Sequence, residues 1–474
     1  MSEFFYSALL ILIVVLLFNF IIFWHELGHF LAARWRGVKV DRFQVWFGKP
    51  IWKKTINGVQ YGLGWIPAGG FVALPQMAPM ESIEGGNRES EPLPKIKPLD
   101  KIIVAFAGPL FSLILALIAA CLVWFVGKPL DAIETTVIGG VYKNSPAEEA
   151  GLQAGDKILE VNGEKVVRFR GDFEAIIERI MLTEEEEITF KIDRGGELME
   201  IKTQFEIAET PWYKRRALPS SGISPAGEAK IGYLVDGQNE SPAQRAGLKV
   251  GDVVAEVDGV KVIGPQHVSN LLDQKNYETA ELTILRGDET LKVEVKALVP
   301  LEPKNEGFQR PMLGIGWDSS ASVSTELVHP NPIQQVRDSM KAMWVTLKAV
   351  TSPKSKVGVD QLAGPAGIAR TKFLLLQTPD GWLRVLSFFV FFNVNLAILN
   401  MLPLPVLDGG HITLALGEML MGKAPEGRIL ESIQVMFVVL LLTFMLFITT
   451  KDIGDMIHPD AGESQKPLWP ESAG

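Results

Sequence analysis

Two histidines stand four residues apart at the end of a long hydrophobic segment, and a glutamate follows the first of them. The stretch reads His25-Glu26-Leu27-Gly28-His29. On an α-helix this spacing places both imidazoles on one face, where they can bind zinc, and the glutamate can take a proton from a water molecule. The pattern therefore predicts metal-assisted hydrolysis, with His25 and His29 as ligands and Glu26 as the general base. The alternative is a pair of helix-end histidines at a membrane surface.

A third ligand is needed, because a catalytic zinc has three protein ligands and one open position. The C-terminal region supplies a candidate after the apolar run of residues 385–401. Pro403 and Pro405 end a helix there, and backbone opened at membrane depth must be buried in protein or line a wet cavity. We expect Asp408 to lie on an irregular segment beside that cavity. His411, three residues later, is a rival ligand.

Four hydrophobic segments are long enough to cross a bilayer as helices and must position these side chains. They are residues 4–30, 102–126, 385–402 and 429–449. Lysine and arginine are concentrated between the first two segments, which predicts that this loop faces the cytoplasm. Both chain ends and the large central region would then face the opposite compartment, with His25 and Asp408 toward the cytoplasmic side.

Together the two motifs resemble those of the site-2 protease family of intramembrane zinc proteases. The matching pattern in the C-terminal half is Asn-x-x-Pro-x-Pro-x-Leu-Asp-Gly, which begins at Asn400. The resemblance implies one Zn²⁺ per chain, bound by His25, His29 and Asp408. It also implies that Asn400 orients the substrate or supports the tetrahedral oxyanion, whereas His411 is structural. Two nearby asparagines are alternatives that could contact substrate or tie helices together: Asn393 and Asn395.

The resemblance also implies substrates and a location. We expect cleavage of single-span membrane proteins in the lipid bilayer of the bacterial inner membrane. Expected substrates are the remnant of an anti-sigma factor, already trimmed by another protease, and signal peptides. Both termini and the central domains would lie in the periplasm. The net charge of −9 gives no reason to expect nucleic-acid binding.

A glycine-rich, uncharged segment at residues 60–74 follows the first span. It could form two short strands around residues 67–70, and the resemblance implies a membrane-associated β-hairpin beside the active site. Because a substrate helix must unwind before cleavage, a strand edge here could hold it extended. A surface loop is the alternative, and residues 76–98 read as a mobile loop. The glycines of this candidate substrate edge are Gly62, Gly64, Gly69 and Gly70.

The central region contains a repeat, because residues 144–163 recur as residues 240–259. A spacing near 96 residues indicates tandem domains and not solenoid units. Each copy predicts a short helix, a strand and a hairpin turn at Asn-Gly or Asp-Gly. The pattern resembles PDZ domains of bacterial proteases, which bind peptides by strand addition. Residues 221–223, Ser-Gly-Ile, are a candidate carboxylate loop of the second copy. The alternative is that both domains are steric bulk without a ligand.

Length and composition fit this organisation. A chain of 474 residues with 47% hydrophobic residues predicts spans plus soluble domains. Its single cysteine, Cys121, excludes an intrachain disulfide. Residues 333–350 predict an amphipathic helix, either on the outer membrane surface or packed on the second repeat domain.

The sequence therefore predicts a four-transmembrane-helix α-bundle with a membrane-associated β-hairpin and two inserted PDZ-like α+β domains. The expected ranges are 1–127 for the first transmembrane half, 128–220 and 221–322 for the PDZ-like domains, 323–380 for the amphipathic helix and linker, 381–452 for the second transmembrane half, and 453–474 for the tail.

Three functions fit these features. The first is an intramembrane metalloprotease in which the tandem domains exclude substrates with large outer segments. The second is a membrane zinc carrier or sensor, which needs the histidines but has no need of Glu26 as a base. The third is a PDZ scaffold with a decayed enzyme, against which the complete ligand set argues.

Overall fold

A computed structural model describes residues 2–77, 96–302, 309–422, 427–457 and 466–470. Most of the loop predicted at residues 76–98 and more than half of the predicted tail, including His458, lie outside these ranges. The chain divides into two units. The first comprises Met1–Pro129, Leu327–Leu347 and Leu362–Ile453; the second comprises Leu130–Glu326, Lys348–Gln361 and Gly454–Gly474.

The described residues form long apolar helices and several short ones. In chain order the helices are α1 Ser2–Arg36, α2 Pro98–Val126, α3 Pro146–Glu149, α4 Ile176–Met181, α5 Pro242–Arg245, α6 Pro265–Gln274, α7 Pro332–Thr351, α8 Pro365–Gln377, α9 Gly381–Asn400, α10 Asp408–Met421 and α11 Gly427–Ile457.

The strands are short and lie mostly in the second unit. They are β1 Arg42–Phe47, β2 Trp52–Ile56, β3 Val59–Leu63, β4 Ile66–Ala73, β5 Lys128–Ala132, β6 Ile138–Val141, β7 Lys157–Val161, β8 Glu164–Lys165, β9 Ile188–Arg194, β10 Glu197–Thr203, β11 Ile223–Pro225, β12 Ile231–Leu234, β13 Val253–Val257, β14 Val260–Lys261, β15 Ala280–Arg286, β16 Glu289–Val295, β17 Ile315–Trp317 and β18 Ser324–Val328.

Four of the described helices, α1, α2, α9 and α11, are long and apolar enough to cross a membrane. Each predicted hydrophobic segment falls on one of them, and α7 forms where an amphipathic helix was predicted. The helices α4 and α6 of the second unit were not predicted, and two helices of the first unit were missed as well. These are α8, which precedes the third span, and α10, whose first residue is Asp408. The prediction that Asp408 lies on an irregular segment was therefore wrong, because that segment ends at Leu407.

Helices α1, α2 and α9 share an apolar core in the first unit. Ile21 of α1 packs with Leu115 and Val123 of α2 and with Phe389 of α9, and all four side chains are buried. Small residues of α2, such as Ala119, allow the helices to approach closely, which is how spanning helices gain packing without a hydrophobic driving force. Helix α7 joins this unit, since its buried Gln335 donates to the Ala120 carbonyl at 3.0 Å.

A four-stranded sheet in the order β2-β3-β1-β4 packs against α1. The sequence predicted a hairpin whose turn lies at residues 67–70, and this prediction was wrong. β3 and β4 do not pair with each other: both flank β1, β3 in parallel and β4 in antiparallel orientation. The hairpin of this sheet is β2–β3, which turns at Asn57 and Gly58 with positive φ at both residues.

Residues 67–69 instead form a bulge inside β4, since Val45 pairs with Gly70 and Phe47 pairs with Ile66. Gly69 adopts φ 77°, and a Cβ there would overlap the Phe47 ring, so the bulge requires glycine at this point. Asn19 of α1 donates to the Pro67 carbonyl at 3.3 Å. The bulge therefore fixes β4 beside the first spanning helix.

The second unit contains the two copies of the repeat, and their sheets have the same strand order. The first copy pairs β10-β9-β7-β8, and the second pairs β16-β15-β13-β14. The predicted hairpin turns are present, with φ of 50° and 76° at Asn162 and Gly163 and of 50° and 77° at Asp258 and Gly259. In both copies a serine caps the short helix that follows it. Each copy has its own buried apolar cluster.

The Ser221-Gly222-Ile223 turn belongs to the first copy, which corrects its assignment as a carboxylate loop of the second. Ile223 lies in the core of the first copy, and β11 pairs with β6 of that copy. Gly314 is the equivalent residue of the second copy: Gly222 packs on Ser145, and Gly314 packs on Ser241 in the same way. The sequence favoured the wrong copy because each of these turns lies more than fifty residues after the end of its repeat motif.

Each copy contains a buried aspartate held by an arginine. Arg194 donates to both Asp156 oxygens at 2.7 Å, and Arg286 donates to both Asp252 oxygens at 2.8 Å. Burial alone would raise the pKa of the Asp252 carboxyl. Hydrogen bonds from Arg286 and from the Lys249 backbone N–H outweigh it and hold that pKa below its usual value.

Replacing Arg286 should destabilise the second copy, because Arg286→Met leaves a buried carboxylate without its main partner. We expect its free energy of unfolding to fall by about 2–3 kcal/mol. Hydrogen exchange of the β13 and β15 amides measures this loss. Lys292→Gln, which removes an exposed ion pair to Glu281, is the control and should change little.

The pH dependence of this loss has a defined sign. A lowered folded-state pKa contributes stability above the unfolded value of about 3.9 and loses it as the pH falls through the folded value. The difference between Arg286→Met and wild type should therefore shrink below about pH 4. A difference that grew toward acid would contradict this account.

Candidate active site

Three side chains distant in sequence meet within the first unit. His25 and His29 lie on α1, and Asp408 is the first residue of α10. Nε2 of His25 lies 3.2 Å from Nε2 of His29 and 3.2 Å from Oδ2 of Asp408, and His29 Nε2 lies 3.3 Å from Oδ1 of Asp408. Among the described residues these three form the one group of potential metal ligands, with all donor atoms within 4.8 Å of one another.

The separation of the two Nε2 atoms matches two corners of a zinc tetrahedron, and the Asp408 carboxylate presents one oxygen to each of them at a similar distance. With bonds of about 2.0–2.1 Å, neighbouring donor atoms of a tetrahedral zinc site lie about 3.3 Å apart. Both imidazoles are buried, so few water molecules can separate the donors. The donor set, two imidazole nitrogens and one carboxylate, is one that catalytic zinc sites use. The residues present therefore fit a zinc ion.

The second nitrogen of each imidazole is hydrogen-bonded, which fixes the ring orientation. His29 Nδ1 donates to the Val104 carbonyl at 2.8 Å, so its Nε2 keeps a free lone pair. His25 Nδ1 lies 3.0 Å from the Ser112 hydroxyl. Such partners orient metal-binding histidines and raise their basicity. Both come from α2, which thus aims the two ligands of α1.

A glycine of α2 leaves space for the ligating nitrogens. A Cβ at Gly108 would overlap His29 Nε2 and lie 2.8 Å from His25 Nε2. Gly28, between the histidines, likewise packs on the Ala107 carbonyl with no room for a side chain. Pro109 follows inside α2 and cannot donate a backbone hydrogen bond to the preceding turn. Small residues on both helices therefore let α2 close over the site.

Asp408 is positioned by a tight turn between α9 and α10. α9 ends at Asn400, as the prolines at 403 and 405 predict. The turn folds back onto the start of α10, where a Cβ at Gly409 would overlap the Met401 and Leu402 carbonyls and one at Gly410 would overlap the Leu404 carbonyl. The two glycines after Asp408 therefore permit the close approach that directs its carboxylate toward α1.

A cavity of about 480 Å³ opens beside the three ligands, which is large enough for part of a peptide. Glu26 lines it, and its carboxylate accepts a hydrogen bond from the Val72 backbone of β4. Asn400 lines it as well, with Nδ2 3.4 Å from His25 Nε2. His411 lies on the cavity wall, outside the ligand group.

The other asparagines of α9 lie elsewhere. Asn393 is fully buried and donates to the Phe389 carbonyl of its own helix at 2.8 Å. Neither Asn393 nor Asn395 belongs to the lining of the cavity. The structure therefore brings Asn400, and not these two residues, to the ligand group.

Of the four candidate edge glycines, Gly70 alone lines the cavity. Gly62 lies in β3, which is paired on both sides, and Gly64 follows that strand. Gly69 lies in the β4 bulge. The edge that faces the cavity therefore belongs to β4, and it runs through Gly70 and Val72.

Backbone pairing shows which groups this edge leaves free. The carbonyls of Asp41 and Val45 accept hydrogen bonds from Gln60 of β3 and from Gly64 just after it. Gln44 therefore turns its backbone polar groups toward β4. Its partner there is Phe71. Gly70 and Val72, on either side of Phe71, therefore direct their N–H and C=O groups away from β1. One of these groups, the Val72 N–H, holds Glu26.

Three residues of α2 that shape the site were not predicted from the sequence: Val104, Gly108 and Ser112. One signal was available: a Gly-Pro pair interrupts an otherwise apolar spanning segment at residues 108–109, where helix breakers need a packing reason. The Val104 contact uses a backbone carbonyl, which no side-chain pattern encodes.

Comparison with known proteins agrees with this geometry. The model of peptidase family M50 matches residues 12–444. The regulator of sigma E protease of Haemophilus influenzae is 28% identical over 437 residues, covering 90% of this chain and 95% of its own. A Neisseria meningitidis protein that bears the name of a zinc metalloprotease is 29% identical over 443 residues, covering 89% of this chain and 93% of its own.

A solved structure also matches part of the chain. It is the crystal structure of the PDZ domain of an SdrC-like protein from Listeria monocytogenes, with 19% identity and a TM-score of 0.16. The match covers 21% of this chain and 96% of that domain.

Filling the space at Gly108 should abolish metal binding. In Gly108→Ala the new methyl group overlaps His29 Nε2, so we expect zinc content to fall at least tenfold, within the roughly 10–100-fold range of changes around metal sites. Gly417→Ala in α10 is the control, because its nearest neighbour is a Met421 methyl at 3.7 Å. Elemental analysis of both purified variants gives the answer, and full zinc occupancy in Gly108→Ala would refute the packing argument.

Proposed function

Because this chain belongs to peptidase family M50, the site-2 proteases, it is a zinc metallopeptidase of the membrane, and we propose that it cleaves peptide bonds within the spanning segments of single-span proteins. The observation that carries this proposal is the convergence of His25, His29 and Asp408 beside the Glu26 carboxylate. His25, Glu26 and His29 lie on α1, and Asp408 is the first residue of α10.

We assign His25, His29 and Asp408 as the zinc ligands. The chemistry that bound zinc supplies is Lewis-acid polarisation of the scissile carbonyl and of the attacking water. Glu26 accepts the proton of that water on its carboxylate and delivers it to the leaving amine. Its hydrogen bond to the Val72 backbone supports this role, because it holds the carboxylate at the cavity and not at the lipid face.

Asn400 is proposed to bind the substrate carbonyl. Its amide is close enough to the ligand group to donate to an oxygen that gains negative charge during attack. A polar side chain at membrane depth needs a partner, and the end of α9 offers Asn400 to the cavity.

The free edge of β4 is proposed to hold the substrate. A helical peptide bond is sterically shielded, so the substrate must become extended before Glu26 and the ligands can act on it. Pairing with β4 would satisfy the backbone groups that unwinding exposes. The outward N–H and C=O groups of Gly70 and the outward carbonyl of Val72 support this role.

The finer assignments follow from the family and from the sequence. We propose an inner-membrane location with the active site toward the cytoplasm, since basic residues concentrate in the loop between α1 and α2. The name of the Haemophilus relative supports an anti-sigma-factor remnant as one substrate, and signal peptides are another. The two repeat domains were predicted at residues 128–220 and 221–322, and residues 221–225 are now given to the first. We propose that these domains exclude bulky outer segments.

A substitution at Glu26 should separate catalysis from metal binding. We expect Glu26→Gln to retain zinc and to lose cleavage of a tagged single-span peptide by at least a hundredfold, because general-base catalysis contributes about 10²–10⁴-fold. Asp408→Ala should lose both zinc and cleavage. Glu418→Gln, which removes an ion pair between α10 and Lys101 of α2, is the control and should retain both.

Cleavage by Glu26→Gln at the wild-type rate would contradict the assignment of the base and favour a zinc carrier or sensor. Full zinc content and activity in Asp408→Ala would contradict the ligand set. Zinc content and product are measured on the same detergent-purified samples.

Strand addition makes a prediction about the substrate backbone. Replacing single amides of a synthetic substrate by esters removes one N–H donor at a time. Because alternate residues of a strand face opposite sides, kcat/KM should fall about 3–10-fold at every second position near the scissile bond, matching about 0.5–1.5 kcal/mol per hydrogen bond. Esters between these positions serve as controls. A uniform effect, or a period near 3.6, would exclude pairing with β4.

A further inference from the structure

The C-terminal segment Lys466–Pro470 contacts the second repeat domain. Trp469 of this segment is 1% exposed and is the largest fully buried side chain among the described residues. The neighbouring sequence, Pro-Leu-Trp-Pro, is short and carries two prolines. Burial of this tryptophan indicates a specific contact, because an indole removes a large apolar area from water when it is enclosed.

Backbone hydrogen bonds hold the segment in an extended conformation. The Leu468 N–H donates to the Glu302 carbonyl at 2.9 Å, and the Leu301 N–H donates to the Leu468 carbonyl at 2.7 Å. On the other side, the Gln238 N–H donates to the Pro467 carbonyl at 2.9 Å. The segment therefore lies between two stretches of the same domain and pairs with both.

Side chains of the domain complete the recognition. Asn239 forms two hydrogen bonds with Trp469: its Oδ1 accepts from the backbone N–H at 2.8 Å, and its Nδ2 donates to the carbonyl at 2.8 Å. Arg245 donates to the Pro470 carbonyl at 2.7 Å. Lys466 pairs with Asp236.

Two glycines shape the tryptophan pocket. A Cβ at Gly314 would lie 3.0 Å from Cζ2 of the Trp469 ring, and one at Gly237 would lie 2.7 Å from the Pro467 carbonyl. Gly314 belongs to the turn that leads into β17, so the indole packs directly on this turn. We call Asp236–Asn239, Arg245, Leu301–Glu302 and Gly314 the tail site.

The first repeat domain cannot hold such a segment in the same way. With Ser145 aligned on Ser241, Asn239 corresponds to Lys143 and Arg245 corresponds to Glu149. Lys143 is instead paired with Asp273 at 2.5 Å. The side chains that bind the tail are therefore a property of the second copy, and not of the shared fold.

We propose that the tail site is a peptide-binding site for an extended segment with a proline-flanked tryptophan, and that the chain's own Lys466–Pro470 occupies it as an intramolecular ligand. This contact between the tail and the second repeat domain does not follow from the metal site or from the proposed proteolysis. The bound tail thus acts as an intramolecular latch on the second repeat domain.

An intramolecular ligand competes through a high effective concentration, on the order of millimolar for a short flexible connection. This property gives the test. The probe is an acetylated, amidated and fluorescently labelled peptide with the sequence of Lys466–Pro470. It should bind a chain that ends at residue 465 and, at micromolar concentration, should not bind the full-length chain. The same peptide with alanine in place of tryptophan should bind neither.

Asn239→Ala in the shortened chain should reduce peptide binding at least tenfold, since it removes both hydrogen bonds to Trp469. Hydrogen exchange of the full-length protein tests the latch independently of truncation. The Leu468 and Leu301 amides should be protected in wild type and should exchange at least tenfold faster in Trp469→Ala. Trp212→Ala, at a tryptophan that is 78% exposed, is the matched control and should leave them unchanged.

Equal peptide binding by the full-length and shortened chains would overturn the proposal. So would exchange of the Leu468 amide at the rate of an unfolded peptide in wild type. If the shortened chain fails to fold, the exchange rates of Trp469→Ala still decide the matter.

Discussion

Three electron-pair donors face one another at about 3.2–3.3 Å, buried between apolar helices. Without a cation their lone pairs repel, and the helices that carry them would gain by turning them apart. A zinc ion reverses the sign of this interaction, because each donor then binds the same charge. The first unit is arranged around this constraint: the packing of α2 on α1, the break between α9 and α10, and the position of β4 each serve to present one wall of the same site.

The cost of polar groups at membrane depth explains why the supporting shell is so complete. A polar side chain among apolar helices must find a partner or lose several kcal/mol. Both imidazoles have one on α2, and Glu26 has one on β4. Each of these contacts satisfies a buried group and fixes the direction of a functional one. The same hydrogen bonds therefore position the functional side chains and offset the cost of burying them among apolar helices. The remaining imidazole nitrogens and the Asp408 carboxylate need zinc as their partner.

Local sequence patterns predicted much of this arrangement. A four-residue spacing fixes His25 and His29 on one helix face, prolines end α9 next to Asp408, and apolar runs mark the spanning helices. The domain-length repeat predicted two tandem domains, and their sheets have the same strand order. The family resemblance joined the distant halves of the site, which spacing alone leaves as a hypothesis.

Contacts between residues that are distant in sequence could not be predicted. The order of the first sheet depends on which strand lies beside β1, and the glycine pattern of residues 60–74 suits a hairpin as well as a bulged edge strand. Gly108 looks like an ordinary helix interruption until α1 is packed against it. The turn at Ser221 lies so far from its repeat motif that the sequence favoured the wrong copy. The tail site escaped for the same reason, since Asn239 and Trp469 are separated by 230 residues.

Anomalous diffraction at the zinc absorption edge, on crystals of the full-length protein, tests the central claim most directly. The account predicts one strong peak about 2.0–2.2 Å from Nε2 of His25, Nε2 of His29 and a carboxylate oxygen of Asp408. A peak bound by other residues, or a site in which Asp408 is replaced by His411, would contradict it.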